Sequence, residues 1–183
     1  MLLRVLDLLL SVVGLLVLSP ILLIICLLGW IDTGAPIFMQ KRVGRHQQPF
    51  VLVKFRTMRQ GTASVPSHLA NSMAITRFGG FLRRTKLDEI PQLWNVLRGE
   101  MSLVGPRPCL FTQVELICER HIRRVFDVRP GITGLAQVKK IDMSTPRYLA
   151  ETDSVMLAEL TVNMYFRYIL MTLWGKGSGD RVK

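Results

Sequence analysis

Between Asp32 and Asp88 the chain has no aspartate or glutamate, although Lys41, Arg42, Arg45, Lys54, Arg56, Arg59, Arg77, Arg83, Arg84 and Lys86 all fall in that interval. A basic run that ends abruptly in an acidic pair, Asp88 and Glu89, reads as a site that gathers anions. Cysteine is scarce: Cys26, Cys109 and Cys118 are odd in number, form no CxxC pair, and one lies within an apolar run. That excludes a disulfide framework and a zinc site and favours a reducing, cytosol-facing compartment. His46, His68 and His121 are scattered without ligand spacing, so no metal is assigned to them.

What is abundant is apolar surface and positive charge. With 183 residues the chain is long enough for one domain and an appendage, and its 49% hydrophobic content with a mean hydropathy of +0.31 points to a membrane segment. The net charge of +11 fits nucleic acid or an anionic membrane surface equally, so charge alone does not choose between them.

From Leu8 to Ile31, LLLSVVGLLVLSPILLIICLLGWI, no side chain is charged. Length alone allows a spanning helix. Ser19-Pro20 in the middle argues otherwise, because proline removes a backbone hydrogen bond and bends a helix. Basic residues also flank both sides, Arg4 before and Lys41, Arg42 and Arg45 after, whereas a span has its basic flank on one side. A re-entrant hairpin over residues 1–35, kinked at Ser19 and Pro20, satisfies both observations, provided a hydroxyl or nearby protein meets the freed carbonyl. A plain single-pass helix is the alternative; a cleaved signal is disfavoured by the length of the run and the lack of a small-residue cleavage site.

Beyond the run, PIFMQKRVG and PFVLVKFRTM read as two strands joined by a turn at Arg45 to Gln48. Arg59 to Ala74 reads as a mobile loop, and Arg77–Lys86 and Asp88–Arg98 as helices, the second with Pro91 in its first turn. Met101–Val104 is a short expected strand, Gly105-Pro106-Arg107-Pro108 a rigid turn, and Leu110–Phe126 an amphipathic helix. Val114, Ile117, Ile122 and Phe126 would form much of its apolar stripe, with Arg120, Arg123 and Arg124 facing headgroups or solvent. Arg129 to Val138 reads as a loop, Leu157–Trp174 as an interfacial or core helix, and the tail from about 175 as disordered.

A helix start at Asp88 and Glu89 favours negative charge and can hold a phosphate alongside, provided Arg83, Arg84, Arg107 or a Mg²⁺ ion neutralises the site. Adjacent carboxylates can divide labour, one as a nucleophile that forms an acyl-phosphate, the other binding metal or handling a proton. The competing reading of LDEIP is a pair of acids that merely caps a helix.

KFRTM, LRRTKLDEIPQLWNVLRGEMSLVGPRP and RPGITGLAQV, together with the Arg4-Asp7 pair and Ser19-Pro20, resemble the bacterial sugar transferase family, the monotopic phosphoglycosyl transferases. The resemblance runs to about Val138. It implies transfer of a sugar-1-phosphate from a UDP-sugar to undecaprenyl phosphate, with release of UMP, on the cytoplasmic face of the bacterial inner membrane. By this resemblance Asp88 is the nucleophile that forms a covalent phosphosugar, Glu89 its partner, and Mg²⁺, held at Asp88 and Glu89, the cofactor. Arg83 and Arg107 match family arginines at the active site and the phosphate or nucleotide; Lys54 and Arg129 match further motif positions. Tyr165 departs from the pattern, standing where the family commonly has Asp, which bears on C-terminal packing and sugar recognition.

The expected fold is α+β and mostly helical, a re-entrant membrane helix packed on a small catalytic domain over residues 36–183 with short strands and amphipathic interfacial helices. Expected partners are the UDP-sugar, undecaprenyl phosphate and anionic lipids, with no nucleic acid and with a homo-oligomer left open. The competing class is a membrane-tethered anion-binding or scaffold protein whose basic run serves only attachment, for which binding would ignore Asp88 and Glu89.

Overall fold

The computed structural model describes residues 2–62 and 72–174. The expected loop from Arg59 to Ala74 lies mostly outside these residues, as does the tail from 175. The fold is mostly helical with two small sheets. Helix α1 (Leu2–Thr33) is followed by strands β1 (Ile37–Val43) and β2 (Pro49–Phe55), helices α2 (Arg77–Thr85) and α3 (Gln92–Leu97), strand β3 (Ser102–Val104), helix α4 (Val114–Ile122), strand β4 (Gly131–Thr133) and helices α5 (Leu135–Val138), α6 (Pro146–Ala158) and α7 (Val162–Leu173).

Helix α1 contains Pro20, and Ser19 Oγ donates at 2.8 Å to the carbonyl of Leu16, the group that Pro20 leaves without its helical donor. Covered or half-covered residues recur at Asp7, Ser11, Gly14, Leu18, Leu22, Ile25, Gly29 and Thr33, a spacing of three and four that marks one face along the whole helix. The opposite face is apolar and exposed, from Leu9 through Leu16 and Val17 to Ile31. Both ends are tied to the same body. Near the start, Arg4 Nη2 donates to the Val96 carbonyl at 2.8 Å, and Asp7 Oδ1 accepts from Ser102 Oγ at 3.0 Å and from Leu103 N–H at 2.9 Å. At the far end Ile25 packs with Phe55 and Leu82, and Asp32 Oδ2 accepts from the Thr76 hydroxyl at 2.6 Å.

β1 and β2 form the expected hairpin, antiparallel with Phe38 opposite Lys54 and Arg42 opposite Phe50. The free edge of β2 is closed by a side chain from α3: Asn95 Oδ1 accepts from Val53 N–H at 3.0 Å and its Nδ2 donates to the Val51 carbonyl at 2.7 Å. The main core joins Phe50 and Leu52 to Val96, Met101, Leu103, Met156, Tyr165 and Tyr168, uniting hairpin, α3, β3, α6 and α7.

Several local expectations need correction. The 129–138 segment is not a plain loop: Gly131–Thr133 pairs in parallel with β3, and Leu135–Val138 is helical. A β-carbon at Gly131 would sit 2.0 Å from Gly105 N, so the pairing depends on glycine. The stretch after it contains α6, for which no element was expected, and Leu157–Trp174 is divided by Glu159–Thr161 into the end of α6 and α7. The α4 region is shorter than expected, its Val114 and Ile122 are exposed, and Leu116 and Arg120 are buried instead. Arg120 faces neither lipid nor solvent, because Asp153 on α6 meets it in the core, and Arg123 is engaged by Glu119 and Glu151.

Tyr165 has its own structural account. Its side chain is fully buried and its hydroxyl donates to Asp7 Oδ1 at 2.8 Å, so α7 is tied to the first two turns of α1. Burial, and then the bond to the Asp7 carboxylate, pushes the phenol far above its ordinary pKa and keeps it a donor.

Candidate functional site

Asp88 and Glu89 do not open a continuous helix 88–98. Helix α2 starts with the Thr76 hydroxyl accepting from Gly79 N–H at 2.8 Å and ends at Lys86, whose φ of 59° is left-handed. That reversal turns the chain into a short 3-10 turn, Leu87–Glu89, packed against α2 and β2, and α3 follows from Gln92. Leu87 packs beside Phe55 and Leu82, so an apolar anchor fixes the turn while Asp88, 6% exposed, is held within the fold.

The Pro106-Arg107-Pro108 turn comes to this acidic turn from 18 residues downstream: Arg107 Nη2 donates to Glu89 Oε1 at 2.7 Å, with both side chains mostly covered. A guanidinium on a carboxylate at this distance is a strong, charge-assisted contact. Lys86 lies in the same electrostatic neighbourhood, and its ammonium reaches the Thr172 carbonyl of α7 at 3.3 Å. Burial pulls its pKa below the ordinary lysine value; Glu89 opposes that shift and Arg107 adds to it.

The other expected site residues are distributed as follows. Arg83, on the last turn of α2, donates through Nε to the buried Thr57 hydroxyl at 2.9 Å. Lys54 is buried on β2, the strand that packs on the acidic turn, with its ammonium 5.6 Å from the centre of the Phe38 ring, which Arg56 also approaches. Arg129 is elsewhere: its Nε donates to the Gly99 carbonyl at 2.7 Å, beyond the end of α3 opposite to the acids, where Arg4 also reaches carbonyls. Ser19 and Pro20 are exposed in the middle of α1. The geometry thus joins Glu89 and Arg107 beside Asp88, with Lys54 and Arg83 on adjoining elements, and sets Arg129 apart.

Sequence reasoning missed the residues that hold the turn. Arg42 Nη1 donates to the Pro108 carbonyl at 3.1 Å and its Nη2 to Gln40 Oε1 at 2.6 Å. Arg120 Nη1 donates to the Arg107 carbonyl at 2.8 Å. No signal in the sequence singled them out, because an arginine on a strand or an amphipathic helix is expected at the surface.

A comparison with known proteins fits this arrangement. The model of the bacterial sugar transferase family matches residues 1–176. The chain belongs to the bacterial sugar transferase family. It is 46% identical over 106 residues to an uncharacterized sugar transferase, EpsL, of Bacillus subtilis, covering 57% of this chain and 52% of that protein. It is 41% identical over 146 residues to a UDP-galactose-lipid carrier transferase of Erwinia amylovora, covering 70% of this chain and 30% of the relative. With the UDP-glucose:undecaprenyl-phosphate glucose-1-phosphate transferase of Xanthomonas campestris it shares 41% identity over 148 residues, 76% of this chain and 30% of the other. The chain therefore spans about half the length of the first of these relatives and less than a third of the other two.

Proposed function

We propose that this sugar transferase family member is a phosphoglycosyl transferase that moves a sugar-1-phosphate from a UDP-sugar to undecaprenyl phosphate and releases UMP, an early membrane step in surface glycan synthesis. The observation that carries the reading is the covered Asp88 next to the Glu89–Arg107 contact of 2.7 Å. Relatives named for transfer of galactose to a lipid carrier and of glucose-1-phosphate to undecaprenyl phosphate support the substrate class.

In this mechanism an Asp88 carboxylate oxygen attacks the β-phosphorus of the UDP-sugar. The bond from that phosphorus to the bridging oxygen breaks, UMP leaves with the oxygen and its electron pair, and an acyl-phosphate joins Asp88 to the sugar phosphate. A phosphate oxygen of undecaprenyl phosphate then attacks the same phosphorus, and the Asp88 carboxylate is restored as the lipid diphosphate sugar departs. Arg107 holds Glu89 and offers positive charge where the leaving phosphate gathers negative charge, with Lys54 and Arg83 on the flanking elements adding to the anion-attracting field.

Among the described residues no three His, Cys, Asp or Glu side chains group closely enough to enclose a metal. Two adjacent carboxylates nonetheless fit Mg²⁺, which is held by one or two carboxylates plus substrate phosphates and water. Such an ion at Asp88 and Glu89 would supply charge neutralisation on the pyrophosphate.

We assign residues 1–35 to the membrane element and 36–183 to the catalytic domain, placed at the cytoplasmic face of the inner membrane. A straight helix of this length would reach ~48 Å, yet both ends of α1 are bonded to one body, which favours a helix that enters and leaves by the same side. The exposed apolar face of α1 then meets lipid. Homo-oligomer formation is not required by the scheme.

The test is UMP release by purified protein given UDP-sugars and Mg²⁺, with and without undecaprenyl phosphate. We expect one UMP per enzyme without the acceptor, steady turnover with it, and neither from Asp88→Asn. An active enzyme that releases no UMP until the acceptor is added would remove the covalent step. Salt-sensitive binding of anionic vesicles that is the same for wild type and Asp88→Asn, with no UMP from any UDP-sugar, would favour the tethered anion-binding protein instead.

A further inference from the structure

We infer that Arg120 on α4 and Asp153 on α6 form a buried positioning pair that fixes the Pro-Arg-Pro turn and so aims Arg107 at Glu89. The inference rests on the proposed reaction for its catalytic meaning, but its geometry stands by itself.

The pair is placed where water does not reach: Arg120 is 1% exposed and Asp153 fully buried. The Arg120 guanidinium serves Asp153, the Arg107 carbonyl and the Cys109 thiol of the same turn. Nε and Nη2 donate to Asp153 Oδ2 at 3.0 and 2.7 Å, and Nη1 donates to the Arg107 carbonyl at 2.8 Å. Asp153 spends its hydrogen bonding on Arg120 alone, because its second oxygen has no hydrogen-bond partner among the described residues. A carboxylate used in this way orients one guanidinium and does little else.

The Arg107 carbonyl is one of four consecutive carbonyls that each have a donor. The Pro106 carbonyl accepts from Gly131 N–H at 2.8 Å, the Pro108 carbonyl from Arg42 Nη1 at 3.1 Å, and the Cys109 carbonyl from Val43 N–H at 3.0 Å. Pro106 and Pro108 have no N–H of their own and restrict the backbone on both sides of Arg107. The main chain under Arg107 therefore has little freedom left, and Arg120 supplies the hold on the residue itself.

Stability gives no sufficient reason for the pair. A buried ion pair is often no better for folding than apolar side chains of similar volume, and Leu116 and Leu149 already pack between α4 and α6. What an apolar pair could not do is bond the Arg107 carbonyl. Positioning matters at this scale because a misplacement of about 1 Å can cost about 10²-fold in rate.

The experiment compares full-length wild type, Arg120→Lys and the double variant Arg120→Met/Asp153→Leu. The lysine keeps the charge for Asp153 but has no fork with which to span Asp153 and the Arg107 carbonyl together. The double variant removes both charges and leaves neither stranded. We expect both to fold, with a melting temperature lowered because the Arg107 carbonyl loses its donor, to keep KM for the UDP-sugar within a few-fold, and to lose about 10²-fold in kcat. In an Arg107→Ala background the same Arg120→Lys change should cost almost nothing further, whereas a merely structural role would lower kcat again by the same factor.

A folded Arg120→Lys with wild-type kcat, or a loss that multiplies with Arg107→Ala, overturns the inference. If the double variant does not fold, Arg120→Lys decides alone. A readout without substrate separates this inference from the proposed reaction: the coupling between Glu89→Gln and Arg107→Met in urea unfolding should be present in wild type and absent with Arg120→Lys. Should wild type release no UMP from any UDP-sugar, the reaction fails, and coupling unchanged by Arg120→Lys would end the positioning role as well.

Discussion

Two of the places where arginine holds main-chain carbonyls in this molecule serve different ends. Beyond the C-terminus of α3, Arg4 reaches the Val96 and Leu97 carbonyls and Arg129 the Gly99 carbonyl. At the Pro-Arg-Pro turn, Arg120 and Arg42 hold the carbonyls of Arg107 and Pro108. The first is a helix end, where the last carbonyls have no intrahelical donor and a positive charge is favoured by the macrodipole. Arg4 and Arg129 complete the fold there, close enough that Arg4 acts on Arg129: burial lowers the Arg129 pKa, and the Arg4 charge lowers it further. The second place has no helix end to satisfy, and the residue being held is itself an arginine pointed at an acid. The same donor chemistry closes architecture in one case and supports a contact with Glu89 in the other.

The sharpest way to break that comparison is catalytic. Arg107→Ala should lower kcat/KM for UMP release by about 10²–10³-fold, the usual loss when one fixed donor to developing charge is removed. Arg129→Ala, from the other end of α3, should lower it by less than about tenfold in folded protein, because its guanidinium is committed to Gly99. Comparable losses from the two substitutions would mean that Arg129 leaves that carbonyl when substrate binds, and the division drawn here would fall.

Stability should reverse the order. Arg4→Met removes the donor from carbonyls at a covered helix end and should cost about 1–3 kcal/mol in urea unfolding. Arg107→Ala leaves Glu89 with Lys86 as a neighbouring cation and should cost less, about 1 kcal/mol. If Arg107→Ala proves the more destabilising, the turn is a structural brace first.

How far the sequence could be read follows the same line. The hairpin, α2 and the strand Ser102–Val104 were legible because alternation and helical spacing act over a few residues, whereas Arg107, 18 residues from Glu89, was named only as one of several cations that could neutralise the acids and through the family resemblance. The β3–β4 pairing was not legible, because three-residue strands have no periodicity and depend on backbone contact between Gly105 and Gly131 across 26 positions in the chain. Helix α6 has a short apolar face interrupted by Thr152 and Asp153, which are buried because the Thr152 hydroxyl bonds the Tyr148 carbonyl and Arg120 meets Asp153. An arginine in an amphipathic helix normally belongs outside, and only the tertiary partner on α6 reverses that expectation. Asn95 is a polar residue buried on α3 because the open edge of β2 supplies its partners, a contact 42 to 44 positions away in the chain.

A smaller effect tests the ties of α1 itself. Tyr165→Phe removes one of three donors to Asp7 Oδ1 and leaves Ser102 and Leu103 in place, so the expected cost is about 1 kcal/mol with kcat unchanged. A large fall in kcat with little change in stability would mean that α7 reports on the site through this bond, and would join the two regions that the comparison separates.

The smallest effect belongs to Arg98, which sits at the same end of α3 as Arg4 and Arg129 and has the same side chain. Its guanidinium is 60% exposed and lies 3.5 Å from Glu100, a pair screened by water and salt. Arg98→Ala should therefore change stability by less than about 0.5 kcal/mol, and less still at high salt. The contrast with Arg4→Met isolates the variable that matters, since both substitutions remove one positive charge from one helix end. If the two were equal, the macrodipole would carry the effect; the expected inequality assigns it to the specific contacts of Arg4, its bonds to the Val96 and Leu97 carbonyls and its 3.9 Å ion pair with Asp7.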